Sequence, residues 1–228
     1  MSALARLARR ARTAAAGVPP GVRALALLCV AAHAAQNVVA AAPVRTVLLG
    51  PDASAHVLVQ DPLAFLFAIH GIGLSLGFVW TPFSYVFLHV SWLHLAMNLV
   101  GLLVFGSAVE ATAGRRTMLG LFIGSGLVGG LASAQPCMGA SAAVLGLAGA
   151  YAALRPRDEF VLYIPLPVPM PAWLLAAVLL LVNAAELHFV ESNVAYLAHL
   201  AGIVAGIAAG LALRFRRRRP HPAPRTSI

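Results

Sequence analysis

The chain has 228 residues, 61% of them hydrophobic and 10% charged, with a mean hydropathy of +0.87 and a formal net charge of +9. A soluble domain of this length does not carry so much apolar surface, so the composition excludes a water-soluble globule and describes an all-α polytopic membrane protein. All sixteen basic residues are arginine, and they stand in short runs beside apolar stretches, where topology signals belong, which argues against nucleic acid as a partner.

Residues 1–21 are arginine-rich and free of acids. They read as a cytoplasmic basic segment that orients the first span, with a mitochondrial transit peptide as the alternative. A helix needs roughly 20 apolar residues to cross the hydrocarbon. Six segments approach that length: 22–42, 92–109, 117–134, 141–154, 172–187 and 194–213. They define a membrane domain over 22–213, followed by an Arg/Pro-rich cytoplasmic tail, 214–228.

The stretch 63–80 is a seventh apolar candidate, and counting arginines rejects it. Six spans from a cytoplasmic N-terminus leave fifteen arginines inside and only Arg45 outside, whereas seven leave five inside and eleven outside, against the positive-inside bias. Residues 43–91 therefore form one long external loop between the first and second spans. Gly71, Gly73 and Gly77, followed by Trp80, Phe83 and Tyr85, suit a segment lying partly in the membrane interface. Cys29 and Cys137 show neither metal-ligand spacing nor a disulfide framework, so neither a zinc site nor a disulfide scaffold is expected.

Orientation assigns a depth to each polar residue in the spans. His94 and Asn98, four residues apart, share one face of the second helix, roughly 3 to 9 Å below its outer end. The fourth segment is short, about 21 Å of helix against about 30 Å of hydrocarbon, so Ser141 starts roughly 10 Å beneath the outer surface. His199 lies roughly 7 to 8 Å down the sixth span. A lone polar residue in a membrane helix most often serves interhelical hydrogen bonding. Four of them converging from three spans on one depth point instead to chemistry inside the bilayer.

Small residues let those spans meet. Gly202, Gly206 and Gly210 repeat every four residues on the sixth helix, and Ala142, Gly146, Ala150 and Leu154 form a largely small stripe on the fourth. A serine beside a neutral imidazole is an activated nucleophile suited to acyl transfer. No carboxylate falls at that depth, so the expected arrangement is a Ser141–His199 dyad. His94 and Asn98 supply N–H groups to the oxyanion beside the Ser141 backbone amide. The soluble hydrolase elbow is excluded, because Ala143 stands where Gly-x-Ser-x-Gly needs its second glycine.

Four motifs in order, His89-x4-His94-x3-Asn98, Gly106-Ser107-Ala108-Val109-Glu110, Gly139-x-Ser141 and Ala198-His199-x2-Gly202-x3-Gly206, give the chain a resemblance to the rhomboid intramembrane serine proteases. The likeness runs from about residue 80 to 210, and its second motif corresponds to the family's turn after the second span. It implies a six-transmembrane-helix rhomboid-like bundle in a lipid bilayer, a multi-pass protein of a bacterial plasma membrane with both termini cytoplasmic. It further implies cleavage of transmembrane protein substrates near their extracytoplasmic end, without metal or cofactor. Ser141 would be the nucleophile and His199 the base, with His94 and Asn98 around the oxyanion. Three positions depart from the family pattern: Ala142 for a glycine, Leu145 for an aromatic that stacks on the histidine, and Thr81 for an arginine. Leu145 motivates the alternative of a catalytically inactive rhomboid-like protein that binds or escorts membrane proteins. A transporter fits less well, because the spans hold almost no carboxylates.

Overall fold

Helices occupy all six apolar segments in a computed structural model that describes residues 17–41, 45–49, 55–133, 136–164, 166–190 and 194–218. Most of the basic N-terminal segment (1–16) and most of the tail (219–228) lie outside the described residues. Helix α1 spans Pro20–Ala40, opening on a proline whose fixed φ and missing N–H suit a first turn. The second long helix runs from α5 (Trp92–Gly101) through a π-helical turn (Leu102–Gly106) into α6 (Ser107–Ala113). Then come α7 (Arg115–Ala132), α8 (Ser141–Leu154), α9 (Ala172–Phe189) and α10 (Tyr196–Arg218). By length and composition, four of these are apolar enough to cross a membrane: α1, the continuous α5–α6, α9 and α10.

The bundle is arranged as a bilayer solvent dictates. Helix α8 sits at its centre, with eleven of its fourteen residues buried, eight of them alanine or glycine. Leu27, Val38, Leu131, Leu181 and Phe189 face outward with 64% to 80% of their surface exposed, positions that lipid chains rather than water would cover. The glycine stripe on α10 meets the small stripe on α8 backbone to backbone. A Cβ at Gly202 would strike the Ala142 carbonyl, one at Gly206 the Gly146 carbonyl, and one at Gly210 would lie 2.6 Å from the Ala150 oxygen.

Two antiparallel hairpins, absent from the sequence expectation, decorate the helices. Strands β1 (Arg45–Leu49) and β2 (Ala55–Val59) pair within the long connection after α1. Strands β3 (Glu159–Ile164) and β4 (Leu166–Pro171) join α8 to α9. The long connection also folds into α2 (Pro62–Phe67), α3 (Gly71–Ser75), α4 (Thr81–Ser84) and a 3₁₀ turn at Tyr85–Phe87. It is pinned to the bundle: Tyr85 is buried and its hydroxyl donates to the Gly126 carbonyl on α7 at 2.6 Å. Of the three aromatics expected at the interface, Trp80 and Phe83 are about half exposed, while Tyr85 belongs to the core because its hydroxyl finds a backbone acceptor there.

Residues 106–109 continue the helix, as the span 92–109 predicts, so the motif 106–110 is not itself the turn, which falls at Gly114, where φ is +88°. Glu110 joins this helix to α1, its two side-chain oxygens accepting from the backbone N–H groups of Gly21 and Val22 at 3.1 and 3.0 Å. A buried acidic side chain on α6 thus satisfies orphan donors at the start of α1, at the positive end of its dipole. Replacing Glu110 with alanine is expected to cost about 2–3 kcal/mol by denaturant titration in micelles, with Glu110→Gln intermediate because one acceptor survives. At the same end of the bundle, Arg214 and Arg217 donate to the carbonyls of Ala153 and Thr112, near the ends of α8 and α6.

Candidate active site

Ser141 is the first residue of α8, at the end of the bundle opposite those arginines. The chain reaches it through Gly139, whose φ of +132° lies in the region L-residues avoid and whose missing side chain leaves room for the His94 ring. Two strand-like contacts hold this approach in place. Ile69 and Cys137 exchange both backbone hydrogen bonds, at 3.1 and 3.0 Å, and the Gly139 N–H donates to the Tyr85 carbonyl at 3.0 Å. Ser141 therefore sits in a first helical turn, beside backbone N–H groups that have no intrahelical acceptor.

His199 is the fourth residue of α10. Its Nε2 stands 2.7 Å from the Ser141 hydroxyl oxygen, and its Nδ1 stands 2.8 Å from the side-chain oxygen of Asn183 on α9. Tyr196, one turn earlier on α10, meets the ring edge-on at 6.0 Å between centroids. The glycine contacts explain how two bulky polar groups come this close: with Gly202 against the Ala142 backbone, the first turn of α8 touches the second turn of α10.

His94 and Asn98 face the same space from α5. Ser91 caps that helix, accepting from the His94 N–H at 3.2 Å, and the Asn98 amide donates one of its two N–H bonds to the His94 carbonyl at 2.9 Å. The second N–H of that amide is left for another acceptor. Behind His94 lies His89, in edge contact at 5.2 Å. Burial first, and the His94 ring second, push the His89 pKa down to about 4, so it packs as a neutral ring. Gln36 of α1 ties this corner together, its oxygen accepting from the His89 N–H at 2.9 Å and its amide donating to Asp61 at 2.9 Å.

All four residues expected from the sequence, Ser141, His199, His94 and Asn98, line one cavity of about 860 Å³. It continues between α5 and α8 toward Gly101 and Phe105. Its walls are mainly apolar, suited to an extended hydrophobic chain with the polar cluster at one end. Among the described residues, no group of three or more His, Cys, Asp or Glu is placed to hold a metal. Asn183 and Gln36 are the polar residues that the sequence reading passes by. Asn183 had a usable signal, since four residues before the predicted end of its span put it about 6 Å deep, level with Ser141 and His199.

Comparison with known proteins bears on what this arrangement does. Residues 76–216 match the family model described as the Rhomboid domain. Rhomboid protein 1, mitochondrial, of Saccharomyces cerevisiae is 28% identical over 177 residues, covering 72% of this chain and 51% of that protein. Rhomboid protease GluP of Bacillus subtilis is 30% identical over 146 residues, covering 61% of this chain and 27% of that protein. The chain thus spans about half the length of the first relative and less of the second.

Proposed function

Because the chain belongs to the rhomboid family and is an integral membrane protein, we propose that it is an intramembrane serine endopeptidase that cleaves transmembrane substrate helices near their extracytoplasmic end. The observation that carries this reading is the 2.7 Å approach of His199 Nε2 to the Ser141 hydroxyl within the cavity. In the proposed reaction His199 takes the hydroxyl proton as Ser141 attacks the peptide carbonyl, then returns it to the leaving amine. Water then releases the acyl group by the same steps in reverse order. The Ser141 backbone N–H, the His94 ring and the free N–H of Asn98 are the donors assigned to the oxyanion.

The proposed topology has six crossings, a membrane domain over 22–213 and cytoplasmic flanks. Support comes from the separation of charge and chemistry along α10, where His199 and Arg214 stand fifteen residues, about 22 Å, apart. Arg115, Arg116, Arg155 and Arg157 lie at the ends of α7 and α8 that pack toward the arginine end, and the positive-inside bias makes that end cytoplasmic. A peptide bond inside a spanning helix is hydrogen-bonded and hidden. Substrates with glycine, proline or polar residues near the cut site, which unwind readily, are therefore the favoured class.

The test is cutting of a single-span substrate by the protein in liposomes. The wild type should release a fragment and carry a fluorophosphonate label on Ser141, and Ser141→Ala should lose both while keeping its thermal transition. Binding of the substrate without cutting or label would instead establish the escort reading that Leu145 motivates.

A further inference from the structure

Helix α9 contributes one residue to the site, and its setting is unusual. Beyond Ala176, every residue of α9 through Phe189 is at least partly exposed except Asn183, which is buried although its neighbours Leu181 and Val182 face outward. The outer half of the helix thus turns one polar side chain inward, toward His199. Packing alone does not call for an amide at such a point, since an apolar side chain would fill it without a desolvation cost.

The amide's orientation follows from its partners. Its N–H donates to the Leu179 carbonyl one turn back on the same helix at 2.8 Å, which leaves the oxygen as the atom 2.8 Å from His199 Nδ1. An amide oxygen only accepts, so the proton of the neutral imidazole must sit on Nδ1. Nε2 is then a bare lone pair, and the 2.7 Å contact runs from the Ser141 O–H to Nε2. The opposite tautomer would set the Asn183 oxygen against an unprotonated nitrogen and point an N–H at the serine, which abolishes base function. The other polar groups around the ring are Tyr196 on its own helix and His94 across the cavity. No carboxylate contacts it among the described residues.

We propose that Asn183 is a positioning residue that locks His199 in the Nδ1–H tautomer and in register with Ser141, so that the site works as a Ser-His-Asn triad rather than a bare dyad. The proposal rests on the protease reading for its kinetic consequence but not for its structural one. A neutral amide fits this depth better than a carboxylate, because it holds the ring without placing a charge in hydrocarbon.

The experiment pairs two readouts on wild type, Asn183→Ala and Asn183→Asp. Nitrogen-15 spectra of histidine-labelled protein in lipid report the His199 tautomer without any turnover. The wild type should show Nδ1 protonated and Nε2 bare near neutral pH, and Asn183→Ala should show a mixture. The rate of fluorophosphonate labelling at Ser141 and the kcat for a single-span substrate should both fall about 10- to 100-fold in Asn183→Ala, with KM within about twofold of wild type. Asn183→Asp, still an acceptor, should recover most of that rate. Its new carboxylate favours the imidazolium, so the acidic limb of its pH profile should move to higher pH. An unchanged tautomer in Asn183→Ala, or equal losses in the two variants with the pH limb in place, would overturn the assignment. A wild type that shows the Asn183-dependent tautomer yet neither labels nor cuts would leave the positioning role standing and remove the protease reading instead.

Discussion

Ser141→Ala and His199→Ala are each expected to lower the single-turnover cleavage rate by on the order of 10⁴-fold or more, and the double variant is expected to be no slower than the worse single one. With Nε2 at 2.7 Å from the hydroxyl oxygen, nucleophile and base share one proton and act as a unit. Removing the imidazole leaves an alcohol that stays protonated at neutral pH, and removing the hydroxyl leaves a base with nothing to deprotonate but water. The second deletion therefore takes away a function already lost. Multiplicative losses in the double variant would mean that the two side chains contribute independently, and the pairing drawn from their distance would be wrong. The residual rate measures what the cavity and the oxyanion donors achieve by holding the substrate near water.

That pairing was legible from the sequence because a bilayer imposes rules that a soluble core does not. Apolar length marks the spans, and the helices α8 and α9 begin where the segments 141–154 and 172–187 begin. Arginine placement orients them, and counting along each helix then sets Ser141, His199, His94 and Asn98 at one level, where all four line one cavity. What stays hidden is partner choice. Nothing in the composition of α1 says that its first N–H groups are capped by Glu110 from a helix almost ninety residues away. Asn183 lies at the right depth, yet a single asparagine in a span reads equally well as packing glue, and only the azimuth of α9 about its axis turns it toward His199. The hairpins were missed for a related reason. Both fall outside the apolar segments, where hydropathy no longer constrains the chain and pairing depends on how far apart the helices hold its ends.

Gly206→Ala, a change of one carbon, is expected to destabilise the bundle by about 3 kcal/mol and to lower cleavage in proportion to the folded fraction that remains. The added Cβ would fall on the Gly146 carbonyl, and neither partner is a flexible side chain that swings aside. Two backbones must separate instead. Because Gly202 sits against Ala142 and Gly210 against Ala150, the contact is continuous along α8 and α10, and a wedge at its middle is felt at both ends. The end that matters for chemistry is the Gly202 end, where a shift of about 1 Å carries His199 beyond hydrogen-bond reach of Ser141. Gly120→Ala and Gly124→Ala are the controls, since both glycines lie on α7 with no atom within 4 Å of the added carbon. These should leave stability unchanged or raise it by up to about 1 kcal/mol through helix propensity. Denaturant titration in micelles separates the cases, and a Gly206→Ala protein as stable as the controls would show that α8 and α10 do not touch along the glycine stripe.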